Sequence, residues 1–313
     1  MVQTVLKSVR RFAACAFLAA GGLALLAPAP AWGKTKKPEA PPEKWLLSLE
    51  GGRSLAWERN IRSEAEVKPD RGFWNKLVDV IAGAPEFRFL VRPYGLAVDS
   101  RGRILVTDPG VAGVHIFDFG QRKYKFVQRR PNDADGMQSP QCIAVDAQDN
   151  FYVTDSMAGE IFVFDANGKY QRRIGHLKGG EGYFKRPTGI AVDSQAQRIF
   201  VTDTLRDQVF VLDMQGVVLQ TIGHSGSGQG EFNLPTELRL DGPNLLVVDA
   251  MNFRVQVLDR SGAFQSSFGI LGGEPGALYR PKAMGIDSEN HLYIVDAEWG
   301  VVQVFDRQGR LLY

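Results

Sequence analysis

The chain has 313 residues, of which 44% are hydrophobic and 23% charged, with 34 glycines, 16 prolines and 2 cysteines. Two cysteines exclude a multi-bridge disulfide scaffold and a four-cysteine zinc site, while glycine above its usual share suits a fold of many tight turns. The formal charge of +2 becomes −1 if Lys7, Arg10 and Arg11 leave with the N-terminal segment, so global charge gives no case for nucleic acid or an anionic membrane.

Residues 1–33 read as a cleavable secretory signal. Lys7, Arg10 and Arg11 form the charged region and Phe12 to Leu26 the apolar one, and Ala29-Pro30-Ala31 offers cleavage after Ala31, with Gly33 as an alternative. The apolar run is short for a membrane span, so the expected address is periplasmic or extracellular with no stable span after cleavage. Sec and Tat export are both open, and loss of Cys15 would leave Cys142 unpaired.

Residues 34–44, rich in lysine and proline, form a linker. Residues 45–91 are expected to hold an N-terminal strand and an amphipathic helix. Trp45 to Leu49 is a candidate for the outermost strand that closes a last blade. Phe73, Trp74, Leu77, Val78 and Ile81 have helical spacing, stopped by Gly83 and Pro85. Such a helix either packs on the outside of the domain or binds a partner.

From residue 92 to 313 the sequence repeats with a period near 47. Three aspartate series mark it: Asp99, Asp146, Asp193, Asp241 and Asp287; Asp108, Asp155, Asp203, Asp249 and Asp296; Asp118, Asp165, Asp213, Asp259 and Asp306. Each aspartate closes a short β-branched or aromatic run, and a weaker fourth run follows a glycine-containing turn. Four strands per unit, with no helical period, predict an all-β fold: a β-propeller of four-stranded blades with five units visible. The aspartates are read as acceptors for turn amides, not as metal ligands.

The stretches Pro187–Asp193, Val201–Thr204 and Arg254–Asp259, PTGIAVD, VTDT and RVQVLD, resemble the NHL repeat. NHL-type propellers include interaction scaffolds, receptor sensors, RNA binders and a few lyases, so the resemblance implies a fold more than an activity. It extends to exported bacterial NHL proteins, some of which accompany multihaem c-type cytochromes, which makes envelope proteins of that kind the implied partners. The common NHL design has six blades. The fifth unit stops at RLLY, inside its own fourth strand, so the expectation is a ring lacking most of its last blade, with a closed five-bladed ring as the alternative.

Strand alternation sorts the candidate site residues. The loops leading into the innermost strands read RPYG, SPQC, RPTG, LPTE and RPKA, and they place Arg92, Tyr94, Gln141, Arg186, Thr188, Arg280 and Lys282 around the channel mouth. The arginines either bind an anionic group or cap and pair within the scaffold. In unit four, Glu237 and Arg239 replace small residues on one strand face, either as a polar channel wall that contributes to a ligand site or as a local ion pair. The loops between the second and third strands, on the same face, carry Met157, Leu205, Arg206, Met251, Asn252, Phe253 and Trp299, a mixture suited to a partner surface.

Catalytic chemistry finds little support. His115, His176, His224 and His291 do not begin innermost strands, so a three-histidine metal centre is not expected. NDADG (132–136) lacks the ligand spacing of a calcium loop, and GSGQG (226–230) is followed by neither Lys-Ser/Thr nor a helix. Cys142 is read as a small buried residue. The expectation is a non-enzymatic, exported scaffold needing no cofactor and binding no nucleic acid. The alternative is a small-ligand-binding or lyase-type propeller that uses its channel.

Overall fold

The structure is a computed structural model that describes residues 46–48, 54–56, 58–68, 87–128, 136–177 and 182–313. The signal (1–33), the linker (34–44), the helix expected at 73–83 and most of NDADG lie outside the described residues. Two units are distinct, Met1–Arg59 and Asn60–Tyr313. In the first, β1 (Leu46–Ser48) pairs antiparallel with β2 (Ser54–Ala56). The strand expected near Trp45 to Leu49 therefore exists, but its partner is its own hairpin neighbour, three ladder pairs long.

The second unit is the propeller. Blade one consists of β3 (Leu96–Val98), β4 (Ile104–Asp108), β5 (Gly113–Asp118) and β6 (Lys123–Val127). Blade two runs through β7 (Pro140–Val145), β8 (Phe151–Asp155), β9 (Glu160–Phe164) and β10 (Tyr170–Ile174). Blade three comprises β11 (Pro187–Asp193), β12 (Arg198–Asp203), β13 (Gln208–Asp213) and β14 (Val218–Ile222). Blade four comprises β15 (Pro235–Asp241), β16 (Asn244–Asp249), β17 (Arg254–Asp259) and β18 (Phe264–Phe268). Blade five has β19 (Pro281–Ile286), β20 (Leu292–Asp296) and β21 (Val301–Phe305), and its fourth strand is reduced to a Phe305–Leu311 bridge. Every sheet is an antiparallel meander in chain order, as the repeat predicts.

The aspartates make these turns. Asp146 accepts from the amides of Gln148 and Asn150, and Asp213 from those of Gln215 and Val217, each at 2.9 Å. At the turn after β13, Gly216 adopts φ 94°, and a Cβ there would strike Ile174 of the preceding blade at 2.6 Å. The Val-Thr-Asp motif has an equally local reason. A register shift in β11 leaves the Gly189 amide off the ladder, and Thr202 Oγ1 accepts it at 2.7 Å. Thr154 does the same for Cys142 and donates onward to the Thr188 carbonyl of the next blade at 2.5 Å. One hydroxyl thus satisfies its own blade and ties it to the next.

The core is a series of slabs between blades. Leu105, Val114 and Ile116 meet Ile143, Phe151 and Phe162 between blades one and two, and equivalent sets fill the three succeeding interfaces. Between blades five and one this pattern stops. Leu96 is 56% exposed where its repeat equivalent Leu238 is fully buried, and Val302 is 54% exposed where Val255 is fully buried. Among the described residues, no slab of buried side chains joins blade five to blade one. The outer half of blade one's open face is nevertheless covered: Val67, Ile61 and Leu90 pack on Val106 and Phe117. The segment before the repeats thus substitutes for part of a neighbouring blade.

Candidate functional site

The lead-in loops are held by buried carboxylates. Asp108 accepts the amides of Val91 and Arg92 at 2.6 and 2.9 Å, Asp203 those of Lys185 and Arg186 at 2.8 and 2.9 Å, and Asp296 those of Tyr279 and Arg280 at 2.7 and 3.1 Å. Proline follows each arginine, and at the start of β11 and β19 its missing N–H interrupts no ladder. The backbone is therefore fixed while the arginine side chains stay exposed around the mouth. Arg280 lies 3.9 Å from Glu298, and Lys282 Nζ sits 4.5 Å over the Tyr94 ring, linking blades five and one.

Below the mouth the inner strands place Gly95, Cys142, Gly189, Glu237 and Ala283 at one register position. Blades converge so closely here that a Cβ on Gly189 would stand 2.8 Å from the Glu237 Cα. Glu237 is buried, accepts from Arg239 at 2.8 Å and receives the Cys142 thiol at 3.1 Å. That contact spans the intervening blade, whose residue at this level is glycine. Burial raises the Glu237 carboxyl above its ordinary range despite the opposing pull of Arg239. Burial and then Glu237 push the Cys142 thiol up, which keeps it a neutral donor. The Tyr94 hydroxyl is likewise raised, mainly by burial. Lys282 is lowered by burial, then by Arg280 and Arg92. A cavity of about 310 Å³ lies among these groups, with Leu96, Met284, Tyr293 and Val295 as its apolar wall.

On the same face, Met157 is 71% exposed, and Leu205, Met251 and Trp299 are also exposed. Phe253 is half-buried with φ 57°. Its ring lies 6.3 Å from that of Tyr279, which in turn lies 6.0 Å from Trp299. Tyr279, Leu234 and Val91 add exposed apolar surface that sequence reasoning overlooked, although each flanks a lead-in proline. The Cys142–Glu237 contact was overlooked too, although both residues occupy the same repeat position.

Several expected partner-binding residues are instead engaged within the fold. Thr188 is buried, its hydroxyl bonded to Thr202 and Thr204 at 3.0 and 2.8 Å. Gln141 donates to Ser139, and Asn252 donates to Gly226 and Asp249. Arg206 donates to the Tyr183 carbonyl and lies over the Tyr183 and Phe210 rings. A loop position in sequence does not show which neighbouring loop it will meet. Cys142 is buried as expected, and the histidines each sit beside a carboxylate, His176 at 2.7 Å from Glu160 and His291 at 2.8 Å from Asp287.

The profile of a family described as a six-bladed β-propeller matches residues 137–197 and 194–255, which include blades two and three and much of blade four. No curated protein sequence matches the chain. Solved structures similar to it include a streptogramin B lyase, with TM-score 0.54 and 15% identity over 70% of this chain and 67% of that one. Virginiamycin B lyase from Staphylococcus aureus gives TM-score 0.54 and 15% identity over 70% and 68%. A chain of a nidogen–laminin complex gives 0.55 and 21% over 73% and 83%. At such identities the likeness is one of fold, and it joins the blade topology in making this chain a β-propeller.

Proposed function

We propose that the chain is an exported NHL-type propeller that acts without catalysis, as a scaffold gripping a protein partner through the loop rim of its channel-mouth face. The observation that carries this reading is the rim itself. Met157, Leu205, Met251 and Trp299 expose apolar side chains at the same loop between second and third strands in four successive blades. Single exposed apolar residues are ordinary, but Met157, Leu205 and Met251 repeat one position, two residues after the strand-closing aspartate, and Trp299 follows one residue later in blade five, so one face gathers apolar side chains of the kind that partners bury. The N-terminal signal and the resemblance to exported NHL proteins support an envelope partner, a multihaem cytochrome among the candidates. Cross-linking and affinity capture from the native envelope, with the double variant Met157→Asp/Trp299→Asp beside the parent, tests the proposal. The parent is expected to retain a protein that the folded variant loses; equal recovery by both would overturn it. The channel cavity, where Tyr94, Glu237 and Arg239 converge, favours a second reading in which a small ligand binds.

A further inference from the structure

The channel mouth carries cations that the fold does not neutralise. Arg92 and Arg186 donate through their backbone amides, and their guanidinium groups make no hydrogen bond or ion pair among the described residues. Arg280 meets its nearest carboxylate, Glu298, at 3.9 Å with both side chains largely exposed, a geometry that contributes little. Lys282 rests on the Tyr94 ring rather than on a carboxylate. The aspartates beneath the loops are fully buried, and backbone amides occupy their oxygens. Deeper in the channel, Glu237 is committed to Arg239 and Cys142.

These groups come from blades one, three and five and surround one opening. Arg92 and Arg280 both act on Lys282, and Arg186 acts on Tyr94, whose ring lines the cavity below. With the nearby aspartates buried and turned to backbone amides, and Glu298 no closer than 3.9 Å to Arg280, these side-chain cations lack a close partner at the opening, a place that an anion fills. Behind the opening the cavity of about 310 Å³ offers an apolar wall made by Leu96, Ile143, Met284 and Val295. A charged mouth over a small apolar chamber selects for a ligand of matching halves.

We propose that the channel mouth binds a small organic anion, its carboxylate or phosphate head held by Arg92, Arg186, Arg280 and Lys282 and its apolar or aromatic body in the channel. This site is separate from the apolar rim proposed to hold a protein. A larger cavity of about 570 Å³ on the flank of blade one is also basic, but three of its six cations are paired with carboxylates, Lys68 with Glu64 at 2.9 Å, Arg101 with Asp149 at 3.2 Å and Arg103 with Asp99 at 2.5 Å, and Lys123 and Lys125 donate to Gln121 and to the Asn167 carbonyl.

Calorimetric titration with benzoate and phenyl phosphate, against neutral benzyl alcohol, tests the site. Both anions are expected to bind at least about tenfold more tightly than the alcohol. The double variant Arg92→Gln/Arg186→Gln should weaken them by about tenfold or more without lowering the melting temperature, since neither side chain has a partner to lose. Arg122→Gln/Lys123→Gln, which removes equal charge from the flank cavity, should bind as the parent does. Met157→Asp/Trp299→Asp should also still bind benzoate, which separates this site from the rim. Equal affinity for benzoate and benzyl alcohol, loss of binding in the flank variant, or no loss in the mouth variant would each overturn the proposal. Binding of polyglutamate alone would replace it with a carboxylate borne by a protein.

Discussion

Glu237 occupies a register position where the other inner strands place glycine, alanine or cysteine, and its carboxyl is raised by burial. The pH dependence that follows has a definite sign. A carboxyl whose folded value lies above its unfolded one binds its proton more tightly when folded, so it contributes stability below the ordinary carboxylate range. That contribution is lost as pH rises through the raised folded value. Half-buried turn aspartates such as Asp259 and Asp306 are lowered and act in the opposite direction, but they are common to parent and variant. Glu237→Gln keeps an acceptor for the Cys142 thiol and removes the titration. Parent and variant are therefore expected to have increasingly different urea midpoints between pH 4.5 and 8, with the variant relatively more stable at the alkaline end. A difference that is flat across this range would show that the carboxyl titrates normally. Arg239, partly open to solvent, can lose its partner at small cost.

At the scale of the strand, the repeat provides its own controls, because identical residues occupy equivalent positions with and without a neighbouring blade. Leu238→Ala removes side-chain atoms from a fully buried slab and should cost about 2–5 kcal/mol. Leu96→Ala, the same change on the open face of blade one, should cost less than about 1 kcal/mol. Chemical denaturation of the two variants decides it, and equal losses would mean that Leu96 is covered in solution. This contrast marks what could be read in the sequence and what could not. Aspartate spacing and strand alternation placed every blade, because each turn closes through its own carboxylate and the next few amides. The same alternation put Glu237 and Arg239 on the channel wall. It did not reveal that Cys142 meets Glu237 from two blades away, which depends on ring curvature and on the absence of a side chain at Gly189. Nor could it show that Thr188 and Asn252 satisfy neighbouring loops, since those partners are 14 residues or more distant except within the turn itself.

For the whole propeller, stability accumulates through contacts between neighbouring blades, as in other repeat architectures where each unit touches only those beside it. Blades two, three and four have a slab of buried side chains on each flank. Blade one has one such slab and, on its other side, the partial cover of Val67, Ile61 and Leu90. Blade five has one slab, an open face at Val295 and Val302, and a fourth strand reduced to a bridge. A closed ring would give every blade two interfaces and nearly uniform protection, whereas this arrangement grades the blades. Local opening should therefore be rarest in the strands with most surrounding contacts. Amide hydrogen exchange is expected to be slowest in β12 and β13 at the centre of blade three and fastest in β21, with blade one intermediate because its cap replaces only the outer half of a neighbour. The partner rim bears on the same gradient, since Trp299 belongs to the least supported blade. Binding of a partner across Trp299, Tyr279 and Met251 would connect blade five to blade four and should slow exchange in β20 and β21 more than in β12. If β21 exchanges as slowly as β13 before any partner is added, the ring is closed by contacts that these exposures do not contain, and the graded picture fails.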